Sequence, residues 1–237
     1  MKAVKTLCVI PARGGSKRIP RKNIRPFCGK PIIAWSIKAA RASGLFDRVM
    51  VSTDDVEIAE VARQSGAEIP FLRPVALADD HTGTQAVVKQ AIEWHRAQGL
   101  AVDLACCLYA TAPFVRAEDL RAAHDRLLAS DKAFVFSVTT FDFPIQRALK
   151  LNVQGEVEAW YPEHRMTRSQ DLETAYHDAG QFYWGRALSF VEDVSLFSPA
   201  SLGYVLAPHR VQDIDTEADW RRAELMFEAL SREEAGG

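Results

Sequence analysis

The chain has 237 residues, of which 48% are apolar and 25% charged, and its formal net charge is −2. This length and apolar content suit one large α/β domain, or one domain with a small excursion. No apolar run approaches the roughly 18–20 residues that a membrane helix needs, and the first residues lack the layout of a signal peptide. We therefore expect a cytoplasmic protein with no membrane partner.

The charge is distributed unevenly along the chain. The first acidic residue is Asp47, and eleven lysines or arginines precede it, so the rest of the chain carries a net charge of −13. This asymmetry suggests that the basic N-terminal part meets an anion. The spacing of the cysteines and histidines fits no metal site, and Cys8, Cys106 and Cys107 lie in apolar runs, as core residues do.

From residue 6 to residue 138 the hydrophobic periodicity alternates between strand and helix. Apolar, β-favouring runs predict strands over residues 6–12, 48–52, 68–72, 103–109 and 133–138. Amphipathic spacing with stop signals predicts helices over residues 31–43, 56–64, 84–98 and 117–130. Such alternation is typical of a three-layer α/β fold, in which a mostly parallel sheet carries helices on both faces.

The alternation stops after residue 138. Residues 148–159 read as a hairpin with its turn at 152–155, and residues 161–176 are polar without a clear period. We predict a small excursion over about residues 140–178, within a single domain of residues 1–237. Regular structure is expected again at 181–184 and 204–206, and a final helix over about residues 216–230.

A loop rich in glycine and basic residues follows the first predicted strand. Ligands of open α/β sheets bind beyond the carboxyl ends of the strands, where this loop begins. Gly14 and Gly15 allow backbone amides to turn toward a phosphate, while Arg13 and Lys22 supply positive charge. The loop contains neither GxxxxGK[ST] nor GxGxxG, so the usual P-loop and Rossmann signatures do not explain it. A tight turn with solvated basic side chains is the alternative.

Two aspartates near the C-terminus are candidate metal ligands. Asp213 and Asp215 are two residues apart, so on an extended chain their carboxylates point to the same side. Mg²⁺ typically takes one or two carboxylates together with substrate phosphates. The alternative is a helix start, with Thr216 as N-cap and Asp219 three residues later. The two roles are compatible.

Other polar residues stand at strand ends, where a ligand would bind. Arg73 follows the strand over 68–72, and Tyr109 and Thr111 begin a loop of small residues after the most apolar strand. His177 and Asp178 precede an aromatic run that fits either a sugar-facing surface or a core strand. Ordinary surface or turn residues are the alternative at each of these places.

Three sequence blocks, in this order and spacing, resemble the CMP-sialic acid synthetase family. They are IPARGGSKRIPRKNI near the start, LRP in the middle and DIDT near the end. Within the family, the segments FDFPIQRAL and YHDAGQFYWG look most like pseudaminic acid cytidylyltransferases. The resemblance implies a Rossmann-like nucleotidyltransferase fold, Mg²⁺ as cofactor, and a homodimer in which the excursion reaches the partner's active site.

The resemblance also implies the substrates, CTP and an acidic nine-carbon sugar, and the residues that contact them. Nucleotide contacts are implied for Ala12, Arg13, Gly14, Gly15, Ser16, Lys22, Asn23, Arg73 and Thr84. Sugar contacts are predicted at Tyr109, Thr111, Gln146, Arg168, His177, Asp178 and Gln181. The family's metal carboxylates match Asp213 and Asp215, and the predicted catalytic residues are Arg13, Lys22 and Asp215.

Two departures from the family pattern bear on the identity of the sugar. Sialic acid enzymes usually carry glutamine at the position of Tyr109, and an arginine-containing stretch at residues 176–178. Both differences argue against N-acetylneuraminic acid as the substrate. Pseudaminic acid is favoured, and legionaminic acid remains open.

The expected reaction is a single displacement, in which the anomeric hydroxyl of the sugar attacks the α-phosphorus of CTP and pyrophosphate leaves. The sequence singles out no general base. A cytidylyltransferase for an eight-carbon keto sugar is the nearest alternative. A nucleic-acid binder would spread its basic residues over a surface, whereas here they concentrate in one loop. A CTP sensor without turnover would not need the pair Asp213 and Asp215.

Overall fold

The structure, a computed structural model, describes residues 5–79 and 82–236. Its strands are, in chain order, β1 (Thr6–Pro11), β2 (Pro26–Phe27), β3 (Lys30–Pro31), β4 (Arg48–Ser52), β5 (Leu104–Leu108), β6 (Phe134–Thr140), β7 (Leu149–Leu151), β8 (Val157–Ala159), β9 (Tyr176–Arg186) and β10 (Ser201–Val205). Its α-helices are α1 (Ile32–Ser43), α2 (Val56–Gln64), α3 (Thr84–Ala97), α4 (Ala117–Leu128), α5 (Ala187–Val191) and α6 (Glu217–Gly236).

Six strands form one sheet in the order β10-β6-β9-β5-β1-β4. β1 pairs in parallel with β4 and β5, and β10 pairs in parallel with β6. β9 runs antiparallel between β5 and β6. The predicted mostly parallel sheet is therefore confirmed, with one antiparallel strand that the sequence did not reveal.

Helices cover both faces of this sheet because successive residues of its buried strands point to opposite sides. In β1, Cys8 and Ile10 belong to one buried cluster, while Leu7 and Val9 belong to another. The first cluster includes apolar side chains of α1, α2 and α4, and the second includes those of α3 and α5. This is the expected three-layer arrangement. Among the described residues, no helix is both long and apolar enough to cross a membrane.

α6 packs in a third cluster, together with the small sheet of β2 and β3. Phe27 contacts Trp220 edge-on, with ring centroids 5.5 Å apart. Ile19, from the loop after β1, and Ile214, from the segment before α6, are both buried in this cluster. Apolar contacts thus bring together the glycine-rich loop and the segment that carries the two aspartates.

The predicted strand over residues 68–72 is wrong. Only a single parallel bridge forms there, between Met50 and Glu68. Pro70 explains the difference, because proline has no N–H to donate to a neighbouring strand. The other helices and strands predicted up to residue 138 are found within two residues of their expected ends.

The predicted hairpin is present. β7 and β8 pair antiparallel, Asn152 N donates to Glu156 O over 3.1 Å, and Gly155 adopts a φ of 82° in the turn. Short 3-10 helices follow at Pro162–His164 and Ser169–Asp171. The role of residues 140–178 in dimerisation stays a prediction.

Candidate active site

A cavity of about 440 Å³ opens at the carboxyl ends of β1 and β5. This is the edge of the sheet at which ligands of open α/β folds bind. Among its described lining residues, one is acidic, Asp79, and five are basic: Arg13, Lys17, Arg18, Lys22 and Arg73. Ser16, Asn23, Thr84 and Thr111 also line it. A cavity with this excess of positive charge is suited to a polyanion.

The glycine-rich loop is held by the turn that follows β4. Gly14 N donates a hydrogen bond to the Asp54 carboxylate over 2.9 Å, and Asn23 Nδ2 donates to Arg13 O over 3.0 Å. Arg21, which has a φ of 56°, donates to the Asp55 carboxylate. A side chain at Gly14 would lie 2.8 Å from Asp55 Oδ2, so only glycine allows this approach. The loop therefore has a defined shape before any ligand binds.

Arg73 forms part of the cavity wall from a buried position. Its side chain donates from Nε to Ser52 Oγ over 3.0 Å and also bonds Ser52 O. Burial lowers the pKa of Arg73, although a guanidinium stays charged at neutral pH. A buried charge oriented by two hydrogen bonds is well placed to contact a phosphate.

The glycine-rich loop meets the aspartate segment through Lys22. Lys22 Nζ donates to Ile214 O over 2.7 Å and lies 3.4 Å from Asp215 Oδ1. Arg18 approaches the same carboxylate oxygen, at 2.8 Å. The predicted phosphate-binding and metal-binding residues therefore form one continuous site.

Asp213 and Asp215 have the chemistry of a divalent-cation site. Burial raises the pKa of Asp213, and the neighbouring charge of Asp215 raises it further. A cation held by the two carboxylates would offset both effects. Over residues 5–79 and 82–236 no cluster of three or more His, Cys, Asp or Glu residues forms a metal site. Mg²⁺ needs only one or two carboxylates when substrate phosphates supply further oxygens, so the pair fits this ion.

The helix-start interpretation of the same segment is confirmed. Asp219 N donates to Thr216 Oγ1 over 3.2 Å, and Thr216 N donates to Asp219 Oδ2 over 2.9 Å. This reciprocal pattern is a capping box at the start of α6. It fixes the chain directly after Asp215, whose carboxylate contacts Lys22 and Arg18.

A second cavity, of about 590 Å³, adjoins the first. Tyr109 lines both cavities and forms the boundary between them. The second cavity is also lined by His177, Asp178, Gly180, Tyr183, Gln212 and Asp213. It thus combines three of the predicted sugar residues with one of the predicted metal ligands.

Several predicted residues lie outside the two cavities. Ala12 is buried, with its N–H bonded to Ser52 O at 2.9 Å, and Gly15 lies beside the lining residues Arg13 and Ser16. Gln181 is buried, and its amide donates to Arg210 O over 2.6 Å. Gln146 donates to Glu173 O, and Arg168 pairs with Asp171, both within the segment 140–178. The ligand roles of these residues stay predictions.

Sequence reasoning did not single out Arg18, Asp54 or Tyr183. Arg18 contacts Asp215, Asp54 holds the loop at Gly14, and Tyr183 lines the second cavity. The position of Asp54 directly after β4 was a usable signal, because the carboxyl ends of parallel strands share one edge. Arg18 and Tyr183 gave no such signal, since the first is one of many basic residues and the second lies in an aromatic run.

The sequence matches known proteins over most of its length. Residues 7–207 match the family described as cytidylyltransferase. The chain belongs to the cytidylyltransferase family. Over 224 residues it is 47% identical to a pseudaminic acid cytidylyltransferase of Campylobacter jejuni, covering 94% of this chain and 97% of that protein. It is also 33% identical to a CMP-N,N'-diacetyllegionaminic acid synthase of Legionella pneumophila, covering 95% and 97%.

Solved structures agree with this assignment at the level of fold. A CMP:2-keto-3-deoxy-manno-octonic acid synthetase in complex with CTP superposes with a TM-score of 0.70 at 17% identity, covering 95% of this cytidylyltransferase and 99% of that chain. A cytidylyltransferase of Leptospira borgpetersenii superposes with a TM-score of 0.61. The predicted nucleotidyltransferase fold and the predicted resemblance to CMP-sialic acid synthetases are confirmed, and the chain is a nucleotidyltransferase.

Proposed function

We propose that this enzyme transfers CMP from CTP to the anomeric hydroxyl of pseudaminic acid, releasing pyrophosphate. The observation that carries the proposal is the pair of cavities joined at Tyr109, one basic and the other reaching Asp213. The triphosphate would bind in the first cavity, and the sugar in the second. The identity of 47% to a pseudaminic acid cytidylyltransferase supports this sugar, and legionaminic and N-acetylneuraminic acids are the alternatives.

The basic cavity would bind the triphosphate of CTP. Arg13 and Lys22 lie on the glycine-rich loop, and Arg73 lines the same cavity from the segment after α2. Their charges would orient the phosphates and offset the charge that grows on the leaving pyrophosphate. Ser16 and Asn23 add hydrogen-bonding groups on the same side.

Asp213 and Asp215 would hold Mg²⁺ beside the α-phosphate. When bound, the ion would supply Lewis-acid stabilisation to the phosphate oxygens. The segment that carries both carboxylates is fixed by the burial of Ile214 and by the cap on α6, so their positions are set before substrates bind. Lys22 would keep the two carboxylates together and limit their mutual repulsion.

The second cavity would place the sugar's anomeric hydroxyl against the α-phosphorus. In-line attack requires the nucleophile opposite the leaving pyrophosphate, and the proximity of the two cavities at Tyr109 supports such a placement. The oligomer is proposed to be a homodimer, as the family resemblance implies, and its compartment the cytoplasm, as the sequence composition suggests.

The decisive experiment is pyrophosphate release with CTP and Mg²⁺ in the presence of pseudaminic, legionaminic or N-acetylneuraminic acid. We expect release to be fastest with pseudaminic acid. Faster release with another of these acids would identify that acid as the substrate in place of pseudaminic acid. Release with none of them and with no eight-carbon keto sugar acid would refute the proposed reaction.

A further inference from the structure

Asp178 presents both carboxylate oxygens to donors within the protein. Oδ1 accepts from Gly180 N over 2.9 Å, and Oδ2 accepts from the Tyr183 hydroxyl over 2.7 Å. These contacts fix the rotation of the carboxylate in the wall of the second cavity. Each oxygen has further lone pairs, so the group can still accept hydrogen bonds from a ligand.

The contact between Tyr183 and Asp178 depends on an irregularity of β9. Two residues five positions apart point to opposite faces of a regular strand. Here Phe136 of β6 pairs with Tyr183, and Val138 pairs with Asp178, so an advance of two positions along β6 corresponds to five positions along β9. Gly180, with a φ of 61°, lies inside this bulge. The bulge therefore places Tyr183 and Asp178 on one face.

Tyr183 also connects Asp178 with the boundary between the cavities. Its ring lies 5.3 Å from that of Tyr109, and the two hydroxyls interact. Burial raises the pKa of Tyr183, and the charges of Tyr109 and Asp178 act in the same direction. The hydroxyl thus keeps its proton at neutral pH, and it donates that proton to Asp178.

We propose that Tyr183 is a positioning residue of the sugar cavity, which holds Asp178 so that its carboxylate accepts hydrogen bonds from hydroxyl or amide N–H groups of the sugar acid. The proposal rests on the proposed function and adds an orientation for the sugar. Because two carboxylates repel each other, the sugar's own carboxylate has to lie away from Asp178. The donor-bearing face of the sugar is then turned toward β9.

Tyr183→Phe tests this by removing only the hydroxyl. We expect KM for the sugar acid to rise by roughly tenfold, because hydrogen bonds to charged groups are among the strongest in proteins. KM for CTP should stay within about twofold, since Tyr183 itself does not line the basic cavity. Tyr204→Phe is the matched control, because the Tyr204 hydroxyl also donates to a carboxylate, Asp119, but lines neither cavity. Its two KM values should not change.

A double-mutant cycle with Asp178→Asn separates positioning from a purely structural role. If Tyr183 acts through Asp178, the double variant should be little worse than Asp178→Asn alone. The proposal would be overturned if the effects of the two substitutions on KM for the sugar acid were additive. It would also be overturned by equal rises in the KM values for CTP and for the sugar acid, or by a loss of thermal stability with both KM values unchanged. The assays use whichever sugar acid the wild type prefers. A wild type that accepts no sugar acid would refute both proposals, whereas an active wild type matched by Tyr183→Phe would refute this one alone.

Discussion

Lys22 and Asp215 are 193 residues apart in the chain, yet the lysine ammonium lies 3.4 Å from the aspartate carboxylate. The same ammonium donates to Ile214 O over 2.7 Å. Local sequence cannot produce this contact. It arises because Ile19 and Ile214 are buried in one apolar cluster with Trp220 of α6. A cation proposed to contact phosphate thus also contacts Asp215, one of the two carboxylates proposed to bind Mg²⁺.

Lys22→Ala should lower kcat by on the order of 10²–10³, the usual cost of losing a group that stabilises transition-state charge. Asp215→Ala should show a loss of the same order. The measurement is initial rate of pyrophosphate release at saturating CTP and sugar. Lys89→Ala is the control, because Lys89 lies on α3 and pairs with Asp193 away from both cavities. Near-normal turnover in either test variant, with the fold intact, would remove that residue from the mechanism.

Asp213→Asn should raise the Mg²⁺ concentration needed for half-maximal rate by at least about tenfold. Residues that only hydrogen-bond to a metal ligand already contribute about 10–100-fold to metal affinity, and a direct ligand should contribute at least as much. Chelation of Mg²⁺ should abolish turnover of the wild type. The assay is a Mg²⁺ titration at fixed CTP and sugar. Asp125→Asn, at an exposed position on α4, is the control. An unchanged Mg²⁺ requirement in Asp213→Asn would rule out this carboxylate as a ligand.

Gly14→Ala should impair CTP binding, because a Cβ there would lie 2.8 Å from Asp55 Oδ2 and 3.0 Å from Asp55 Cβ. The loop would have to move away from β4, and its basic residues would move with it. Gly15→Ala provides the comparison, since a Cβ at that position would meet only Arg13, at 3.9 Å. We expect a clearly larger rise of KM for CTP in Gly14→Ala. Equal effects of the two substitutions would contradict this account of the loop.

Asp55→Ala should lower the free energy of unfolding by about 1–2 kcal/mol, the typical cost of losing an N-cap. Asp55 caps α2 by accepting from Glu57 N and Ile58 N, and it also accepts from Arg21. Urea unfolding of the variant and the wild type measures the difference. Glu57→Ala, which removes an exposed carboxylate bonded to the same arginine, should cost clearly less.

The contribution of Asp55 should also depend on pH. The hydrogen bond from Arg21 lowers the pKa of Asp55 from 3.8 to about 2, with backbone donors adding to the effect. Because the folded-state value lies below the unfolded one, the stabilisation is fully present above pH 3.8. It is lost as the pH falls toward 2. The difference in free energy of unfolding between wild type and Asp55→Ala should therefore be constant at neutral pH and become smaller in acid. A difference that grows in acid would contradict the lowered pKa of Asp55 in the folded state.

The sequence predicted the fold well where one local pattern dominates. Strand and helix periodicities located the elements up to residue 138, except the strand over 68–72, where Pro70 removes a backbone donor. The antiparallel direction of β9 was not predictable, because side-chain alternation is the same in parallel and antiparallel strands. Its length was also underestimated, since its polar first residues line a cavity instead of the core.

The site was predicted in parts, and the tertiary structure joined them. Composition and spacing alone determined the basic loop with its glycine pair, the aspartate pair, and the capping residues Thr216 and Asp219, because these depend on short-range geometry. Only the folded chain decided that Lys22 meets Asp215, since this requires burial of distant apolar side chains in one cluster. It also decided that Tyr183 and Asp178 share a face, because a bulge in β9 overrides the alternation that the sequence implies.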